Sequence, residues 1–338
     1  MQMRDDLGIT TKLENGKAYL EFALPEKIGR LLSALQIEIW EGAEGERLVF
    51  HGEYSSEEAD SMTALLLRPH LWDGMRDPYV YLVKAQGRFG AAEYGETFGV
   101  TAEEETVDAS SIDEVTEVYW RQELAIYDVH VIDKKGIFLN EKEFLPHEVV
   151  YRLSPQISDA GTREEQVRRD LERLARMGAN VIRLEGTGTE GQGRCEVGSF
   201  YSLCRRGGFL TGDLWIRPEN LPVYRGLPGE TMAEALLAAD GRTLTERYYY
   251  YQAKWSSEPV LYPALPTLHR QENGLLSLTI YSNQKKVVLY VDGVLFLFQT
   301  AASGDPEFIF EDIPVAKLPL HLAAEAGNLS ISLTVTKL

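Results

Sequence analysis

The sequence has few cysteines: Cys195 and Cys204 are the only two among 338 residues. Two thiols in a chain of this length exclude a disulfide framework, and neither cysteine belongs to a CxxC pair. None of the six histidines lies at metal-ligand spacing from another, so the sequence predicts no metal site and no cofactor. Because this cysteine content is typical of a reducing compartment, we expect a cytoplasmic protein.

Long hydrophobic runs are also missing. No stretch approaches the roughly 20 apolar residues that a membrane-spanning helix requires. The opening segment, MQMRDDLGITTKL, contains neither an apolar run nor a small-residue cleavage site, so we expect no signal peptide. The sequence therefore predicts no membrane as a partner.

Positive charge is scarce, since 34 Lys and Arg residues face 52 Asp and Glu residues, giving a net charge of -18. Phosphate binding needs a cationic surface, so nucleic acid is excluded as a partner, and anionic membranes and strongly acidic polysaccharides are disfavoured. Hydrophobic residues make up 44% of the chain. That content is enough for packed cores, and the length suits two or three domains.

The first hundred residues have the period-two pattern of strands with one buried face. Leu20, Phe22 and Leu24, for example, alternate with Glu and Ala. This pattern predicts an immunoglobulin-like β-sandwich over residues 1–103. The segment 104–128, rich in Glu, Asp, Ser and Thr, predicts a linker.

The last hundred residues repeat the pattern. Asp292-Gly293 separates two apolar runs, which is a strong signal for a two-residue hairpin. In Leu329–Val335, apolar residues alternate with Ser and Thr. These signals predict a second immunoglobulin-like β-sandwich over residues 246–338.

The middle of the chain, residues 129–245, alternates helix and strand signals. Thr162–Glu165 is a capping box, and apolar residues then recur at helical spacing as far as Leu174. Gly178 follows as the predicted C-terminal cap, and Asn180–Leu184 is a short strand of buried type. Two or three parallel βα units follow from this alternation. The predicted fold class is mostly β with an α/β middle.

Several segments, taken in order, carry a family resemblance. Arg68–Tyr81 contains a proline, a Leu-Trp pair and Asp-Pro-x-Tyr, and Gly136–Lys142 reads Gly-Ile-Phe-Leu-Asn-Glu-Lys. They resemble the end of the immunoglobulin-like domain and the barrel-opening hairpin of family 2 glycoside hydrolases, β-galactosidase-like members among them. Further similar segments are Glu96–Val100, Thr162–Leu184, Phe200–Cys204, Gly208–Asp213, Glu246–Pro259 and Tyr281–Asn283. The resemblance implies two immunoglobulin-like β-sandwiches flanking a TIM-barrel remnant, without the family's N-terminal jelly roll.

The remnant is too short to be a complete barrel. A closed (β/α)₈ barrel takes about 200 residues or more, whereas about 100 separate Lys142 from Glu246. The resemblance implies a retaining mechanism with two glutamates, which lie about 5–5.5 Å apart in such enzymes. Neither glutamate has a counterpart here. The one Asn-Glu pair, Asn140-Glu141, lies in the opening hairpin, and we interpret it as a turn sequence.

Sugar-contacting positions of the family are altered as well. His147–Arg152 replaces an Arg-Gly-Val-Asn-Arg-His stretch, and Glu185–Gly188 replaces the Ser-His-Tyr that the resemblance places after Arg183. Arg183 itself matches the family arginine at the end of the second strand, where it would help to hold the nucleophile. Without a nucleophile, we expect it to pair with Glu185 or Asp213.

Two groups of residues are candidates for a site. Glu185, Asp213 and Glu219 follow neighbouring strands, whose carboxyl ends meet at one edge of a parallel sheet, so a new carboxylate pair is one hypothesis. The candidates for catalysis are Glu185, Asp213 and Arg183. For substrate binding they are Arg183, Tyr251 and Trp255, because aromatic rings stack on sugars, although the Tyr248–Tyr251 run also suits packing against the neighbouring sandwich.

The sequence thus favours a protein that has lost catalysis and serves as a carbohydrate-binding or interaction protein. The alternative is a glycosidase whose active site is completed by another chain or by a new carboxylate pair. A purely structural subunit is a third hypothesis. Truncation would leave apolar sheet edges open, so we expect a homo-oligomer through the barrel remnant.

Overall fold

The structure is a computed structural model that describes residues 7–24, 32–55, 58, 61–89, 116–152, 160–185, 193–212, 221–225, 235–238, 240–302 and 304–337. Strands predominate, which confirms the mostly β class. The chain divides into two compact units, one formed by Met1–Leu145 with Thr187–Leu210 and the other by Pro146–Gly186 with Thr211–Leu338. No helix in the described part is long and apolar enough to cross a membrane.

Two antiparallel sheets of the first unit share one hydrophobic core. One has the order β1-β2-β5 and the other the order β4-β3-β6-β7. Their bounds are β1 Gly8–Glu14, β2 Lys17–Ala23, β3 Leu32–Glu41, β4 Arg47–Ser55, β5 Thr63–Leu67, β6 Tyr81–Phe89 and β7 Thr116–Leu124. The predicted alternation is visible in β2, where Leu20 and Phe22 are buried and Tyr19, Glu21 and Ala23 are exposed.

Strand β7 lies where a linker was predicted. Thr116–Leu124 pairs with β6 along its whole length, and Val118 and Trp120 point into the core. The many acidic and hydroxyl residues upstream concealed this alternation in the sequence. Residues 104–115 lie outside the described part of the chain.

The first unit also contains a small sheet of order β10-β9-β8 and a helix. The elements are β8 Val129–Ile132, β9 Gly136–Leu139, β10 Lys142–Phe144 and helix α2 Gly193–Arg206. Trp72, in the Arg68–Tyr81 segment that carries the family resemblance, connects the helix and the small sheet. Its Nε1 donates to the Arg205 carbonyl at the end of α2, and the Asn140 side chain donates to the Trp72 carbonyl.

The parallel strands lie mainly in the second unit. The sheet order is β13-β12-β11-β14-β15, and β11 pairs in parallel with β12 and β14. The strands are β11 Glu148–Arg152, β12 Val181–Glu185, β13 Leu210–Thr211, β14 Val223–Arg225 and β15 Ala235–Leu237, and the helices are α1 Ala160–Met177 and α3 Glu246–Trp255. The short strands β14 and β15 extend the sheet beyond the predicted βα units. Helix α1 begins at Ala160, so Thr162 lies inside it rather than capping it.

The C-terminal part of the second unit has two antiparallel sheets around a common core, with orders β16-β17-β20 and β19-β18-β21-β22. Their bounds are β16 Leu261–Arg270, β17 Leu276–Ser282, β18 Lys286–Val291, β19 Val294–Thr300, β20 Glu307–Ile313, β21 Leu320–Ala326 and β22 Leu329–Val335. The predicted hairpin is confirmed, because Asp292 and Gly293 join β18 to β19 with φ values of 47° and 80°.

Candidate functional site

Four charged residues of β11 and β12 lie on one face of the parallel sheet. In the register of β11 and β12, Val150 lies opposite Arg183, and Arg152 lies opposite Glu185. Since side chains alternate between the faces of a strand, Glu148 and Arg152 of β11 share a face with Arg183 and Glu185 of β12. Arg152 and Glu185 end their strands, at the edge where α/β proteins commonly bind ligands.

Arg183 pairs with Glu148. Its Nε donates to Glu148 Oε1 at 2.7 Å, and the side chains are only 10% and 0% exposed. The sequence predicted Glu185 or Asp213 as the partner. Glu185 lies 3.2 Å from the Arg152 guanidinium, and Asp213 and Glu219 lie outside the described residues, so the pairing of Arg183 with Asp213 stays a prediction.

The two glutamates of this face are far apart. Glu148 begins β11, whereas Glu185 lies opposite Arg152, four residues further along. At about 3.3 Å per residue, their backbone positions are offset by about 13 Å along the strands, whereas a retaining pair places its two carboxyl groups about 5–5.5 Å apart. Each glutamate is also engaged by an arginine of the neighbouring strand.

Tyr151 and Tyr224, on the other face of the sheet, belong to a buried network around Asp170 of α1. Its carboxylate accepts hydrogen bonds from the Tyr151 hydroxyl at 2.9 Å, the Tyr224 hydroxyl at 2.7 Å and the Arg225 guanidinium at 2.7 Å. Burial, and then the Asp170 charge, raise the pKa of both tyrosines. This network ties α1 to β11 and β14 and leaves the Asp170 carboxylate sequestered, so its role is structural.

The aromatic candidates lie at the opposite end of the strands from Glu185. The Trp255 ring is 4.5 Å from Tyr251 and stacks on His147 at 5.0 Å. His147 precedes β11, and its Nδ1 is 2.8 Å from the Gly178 carbonyl oxygen, which places the group at the amino ends of β11 and β12. The structure therefore does not bring Tyr251 and Trp255 together with Glu185.

A cleft of about 250 Å³ opens in the second unit between α3, β16 and β22. Tyr249, Gln252, Tyr262 and Ser330 contribute polar groups and rings to its lining. Tyr249 and Tyr262 stack at 3.6 Å, and the Tyr262 hydroxyl donates to Glu246 Oε1 at 3.1 Å. Tyr249 belongs to the Tyr248–Tyr251 run that the sequence analysis considered for sugar stacking. Nothing in the sequence around Tyr262 and Ser330 indicated a binding site.

Within the described ranges, one group of side chains could hold a metal ion. Asp128, His130 and Glu141, all in the first unit, each place one ligand atom within 4.8 Å of the other two. The sequence predicted no metal site because none of its histidines lies at ligand spacing from another. This group instead joins a single histidine to two carboxylates across a hairpin.

Comparison with known proteins finds similarity of structure alone. No protein-family model matches the sequence, and no curated protein does. Among solved structures, an FMN-binding β-glucuronidase from Facaelibacterium prausnitzii is 13% identical, with 98% of this chain and 73% of that chain covered and a TM-score of 0.66. The fold is similar to that of family 2 glycosidases.

Two further structures support this fold. A β-glucuronidase from Parabacteroides merdae is 12% identical, and a glycosyl hydrolase family 2 member from Bacteroides cellulosilyticus is 14% identical, each with a TM-score of 0.60. In each comparison 98% of this chain aligns with 63% of the other chain. The chain therefore spans less than two thirds of the length of each of these proteins. The predicted resemblance is thus confirmed for the fold.

Proposed function

We propose that this chain is a relative of the family 2 glycosidases that has lost hydrolysis and binds carbohydrate. Its architecture is then two immunoglobulin-like β-sandwiches flanking a truncated TIM barrel. The proposal of lost catalysis is supported chiefly by one observation: Glu148 and Glu185 are each paired with an arginine, and their backbone positions lie four residues apart along the strands. A retaining pair needs two carboxylates on either side of one glycosidic bond.

The cleft beside α3 is the carbohydrate site that we propose. Sugar binding combines aromatic surface with side chains that hydrogen-bond hydroxyl groups. Tyr249 and Tyr262 supply the rings, and Gln252 and Ser330 supply donors and acceptors. The volume of about 250 Å³ suits a single sugar unit rather than a long chain.

Hydrolysis of a panel of aryl α- and β-glycosides tests the loss of catalysis. The turnover of the wild type should be no higher than that of the Glu185→Gln and Asp213→Asn variants. Turnover that either substitution abolishes would support the alternative, an active site on the remnant strands or one completed by another chain.

A glycan array followed by calorimetric titration tests binding. Gln252→Ala and Ser330→Ala should weaken binding of the array hit, because they remove hydrogen bonds at the cleft without disturbing the stacked tyrosines. Trp255→Ala is the matched control at the amino ends of the strands. Loss of binding in that variant alone would move the site to Tyr251 and Trp255, and an empty array would favour a scaffolding role.

We also propose a cytoplasmic homo-oligomer that associates through the barrel remnant. The proposal is supported by β13, which is only two residues long and lies at an edge of the sheet. Light scattering at micromolar concentration should give a mass above one chain. A monomer would contradict this proposal without affecting the proposed carbohydrate site.

A further inference from the structure

Three side chains of the first unit converge at the hairpin that follows β8. Asp128 directly precedes β8, His130 lies within β8, and Glu141 lies in the turn between β9 and β10. His130 Nδ1 is 2.7 Å from Asp128 Oδ2, and one ligand atom of each of the three residues lies within 4.8 Å of the others.

The backbone around the three residues is held in place by Asn140. Its amide nitrogen donates to the Asp128 carbonyl at 2.9 Å, and its side-chain oxygen accepts from the Asp128 amide at 3.0 Å. Its side-chain nitrogen donates to the Trp72 carbonyl at 2.8 Å. The turn that carries Glu141 is therefore fixed against the strand start that carries Asp128.

The His130 ring is fixed as well. It stacks on Phe138 of β9 with a centroid distance of 5.6 Å and an interplanar angle of 10°. His130 and Phe138 are register partners in the β8–β9 pairing, so the stacking follows from the sheet. A ligand set whose orientation is fixed in advance loses little entropy on binding an ion.

We propose that Asp128, His130 and Glu141 bind a divalent first-row transition metal, for which Zn²⁺ is the probe. An imidazole nitrogen with two carboxylates suits Zn²⁺ or Mn²⁺, whereas Ca²⁺ prefers an all-oxygen set. Asp128 and His130 are half-buried and Glu141 is exposed, so water completes the coordination.

Other histidines of the same unit show what distinguishes this group. His70 forms an equally short contact, 2.7 Å to Asp77, but no third ligand joins it among the described residues. His51 has a carboxylate beside each ring nitrogen, Glu38 at Nδ1 and Glu53 at Nε2, so those carboxylates lie on opposite sides of the ring and cannot share one ion. Among the histidines of this unit that the structure describes, only His130 has two carboxylates whose ligand atoms converge with its own.

Glu141 offers a variant that removes a ligand without endangering the fold. Asn140 and Glu141 have φ values of 49° and 63°, the left-handed conformation of a two-residue hairpin turn. Asn-Gly is the favoured pair at such turns, so Glu141→Gly relieves backbone strain while it deletes a carboxylate. His70→Ala is the control, because it removes an aspartate-paired imidazole from the same unit.

The experiment is calorimetric titration of metal-stripped, untagged protein with Zn²⁺, and with Ca²⁺ in parallel. Wild type should bind Zn²⁺ at this site more tightly than Ca²⁺. Loss of an outer-shell partner alone typically weakens a metal site about 10–100-fold, so His130→Ala and Glu141→Gly should weaken Zn²⁺ binding at least that much, while His70→Ala should not.

A second readout excludes misfolding as the cause. Zn²⁺ should raise the thermal midpoint of wild type and of His70→Ala, since a ligand of the folded state stabilises it, and at the same Zn²⁺ concentration should raise that of Glu141→Gly less. Zn²⁺ affinity that is the same in Glu141→Gly and His130→Ala as in wild type, or a preference for Ca²⁺, would overturn the proposal.

Discussion

Arg183 of β12 donates through Nε to Oε1 of Glu148 of β11 at 2.7 Å, and both side chains are almost completely buried. The two residues are 35 positions apart in the sequence and are joined by the parallel pairing of their strands. A buried ion pair of this kind fixes the register of the two strands more than it adds net stability, because both charges lose their hydration.

Breaking this pair should therefore be costly, whereas replacing it should not. Arg183→Met alone leaves a buried carboxylate without its guanidinium and should lower the free energy of unfolding by about 3–5 kcal/mol. The double variant Arg183→Met/Glu148→Leu should be less destabilised than Arg183→Met, which urea denaturation can measure. If the double variant loses as much unfolding free energy as Arg183→Met and Glu148→Leu lose together, the two side chains contribute to stability independently, which would contradict this prediction.

The Asp170 network should respond unequally to its members. Asp170→Asn leaves Arg225 facing a neutral amide in a buried setting and should cost about 3–5 kcal/mol. Tyr151→Phe removes one hydrogen bond and should cost about 1 kcal/mol, since Tyr224 and Arg225 still hold the carboxylate. Equal losses in the two variants, measured by urea unfolding, would show that the charge of Asp170 is unimportant.

Gly178 is a position where only glycine fits. It follows α1 with a φ of +93°, and an added Cβ would lie 2.5 Å from the backbone carbon of Trp255. Gly178→Ala should therefore cost more than Gly293→Ala. Gly293 also has a positive φ, +80°, but no atom lies within 4 Å of its added Cβ, so that variant should cost only about 1 kcal/mol of backbone strain. Thermal midpoints that fall equally in both variants would contradict the steric argument.

Local signals account for the parts of the fold that the sequence predicted. Gly178 was predicted as a helix cap from its position alone. In the structure it follows α1, and its amide donates a hydrogen bond to the Ala175 carbonyl. Asp292-Gly293 was likewise sufficient to predict a hairpin. In each case the residue type and its immediate neighbours determine the backbone conformation.

The misses involve short strands and distant partners. Val223–Arg225 is three residues long, too short for any period to be visible, and its place beside β11 depends on long-range pairing. Arg183 was correctly placed on a strand, but the sequence did not indicate Glu148 as a partner, because Glu148 belongs to a different strand and the register between the two cannot be read from either one. Asp128 and Glu141 meet for the same reason, through the folding of a hairpin.

Glu246 should make stability depend on pH. Burial raises the pKa of this carboxyl, and the hydrogen bond from Tyr262 partly opposes the shift. Within the described part of the chain, its Oε2 is buried and has no hydrogen-bond partner. A raised folded-state pKa means that stability is fully present below the unfolded value of about 4.3 and falls as pH rises through the folded value.

Glu246→Gln removes this loss while it keeps an oxygen to accept the Tyr262 hydrogen bond. The free energy of unfolding of the variant, relative to wild type, should therefore increase between pH 4 and pH 7. Tyr262→Phe is the matched control: without the donor, the pKa of Glu246 should rise further and the pH dependence should steepen. Glu246 is also the first residue of α3, where a negative charge is favourable. A relative stability of Glu246→Gln that falls with pH would mean that the helix terminus outweighs burial at this carboxyl.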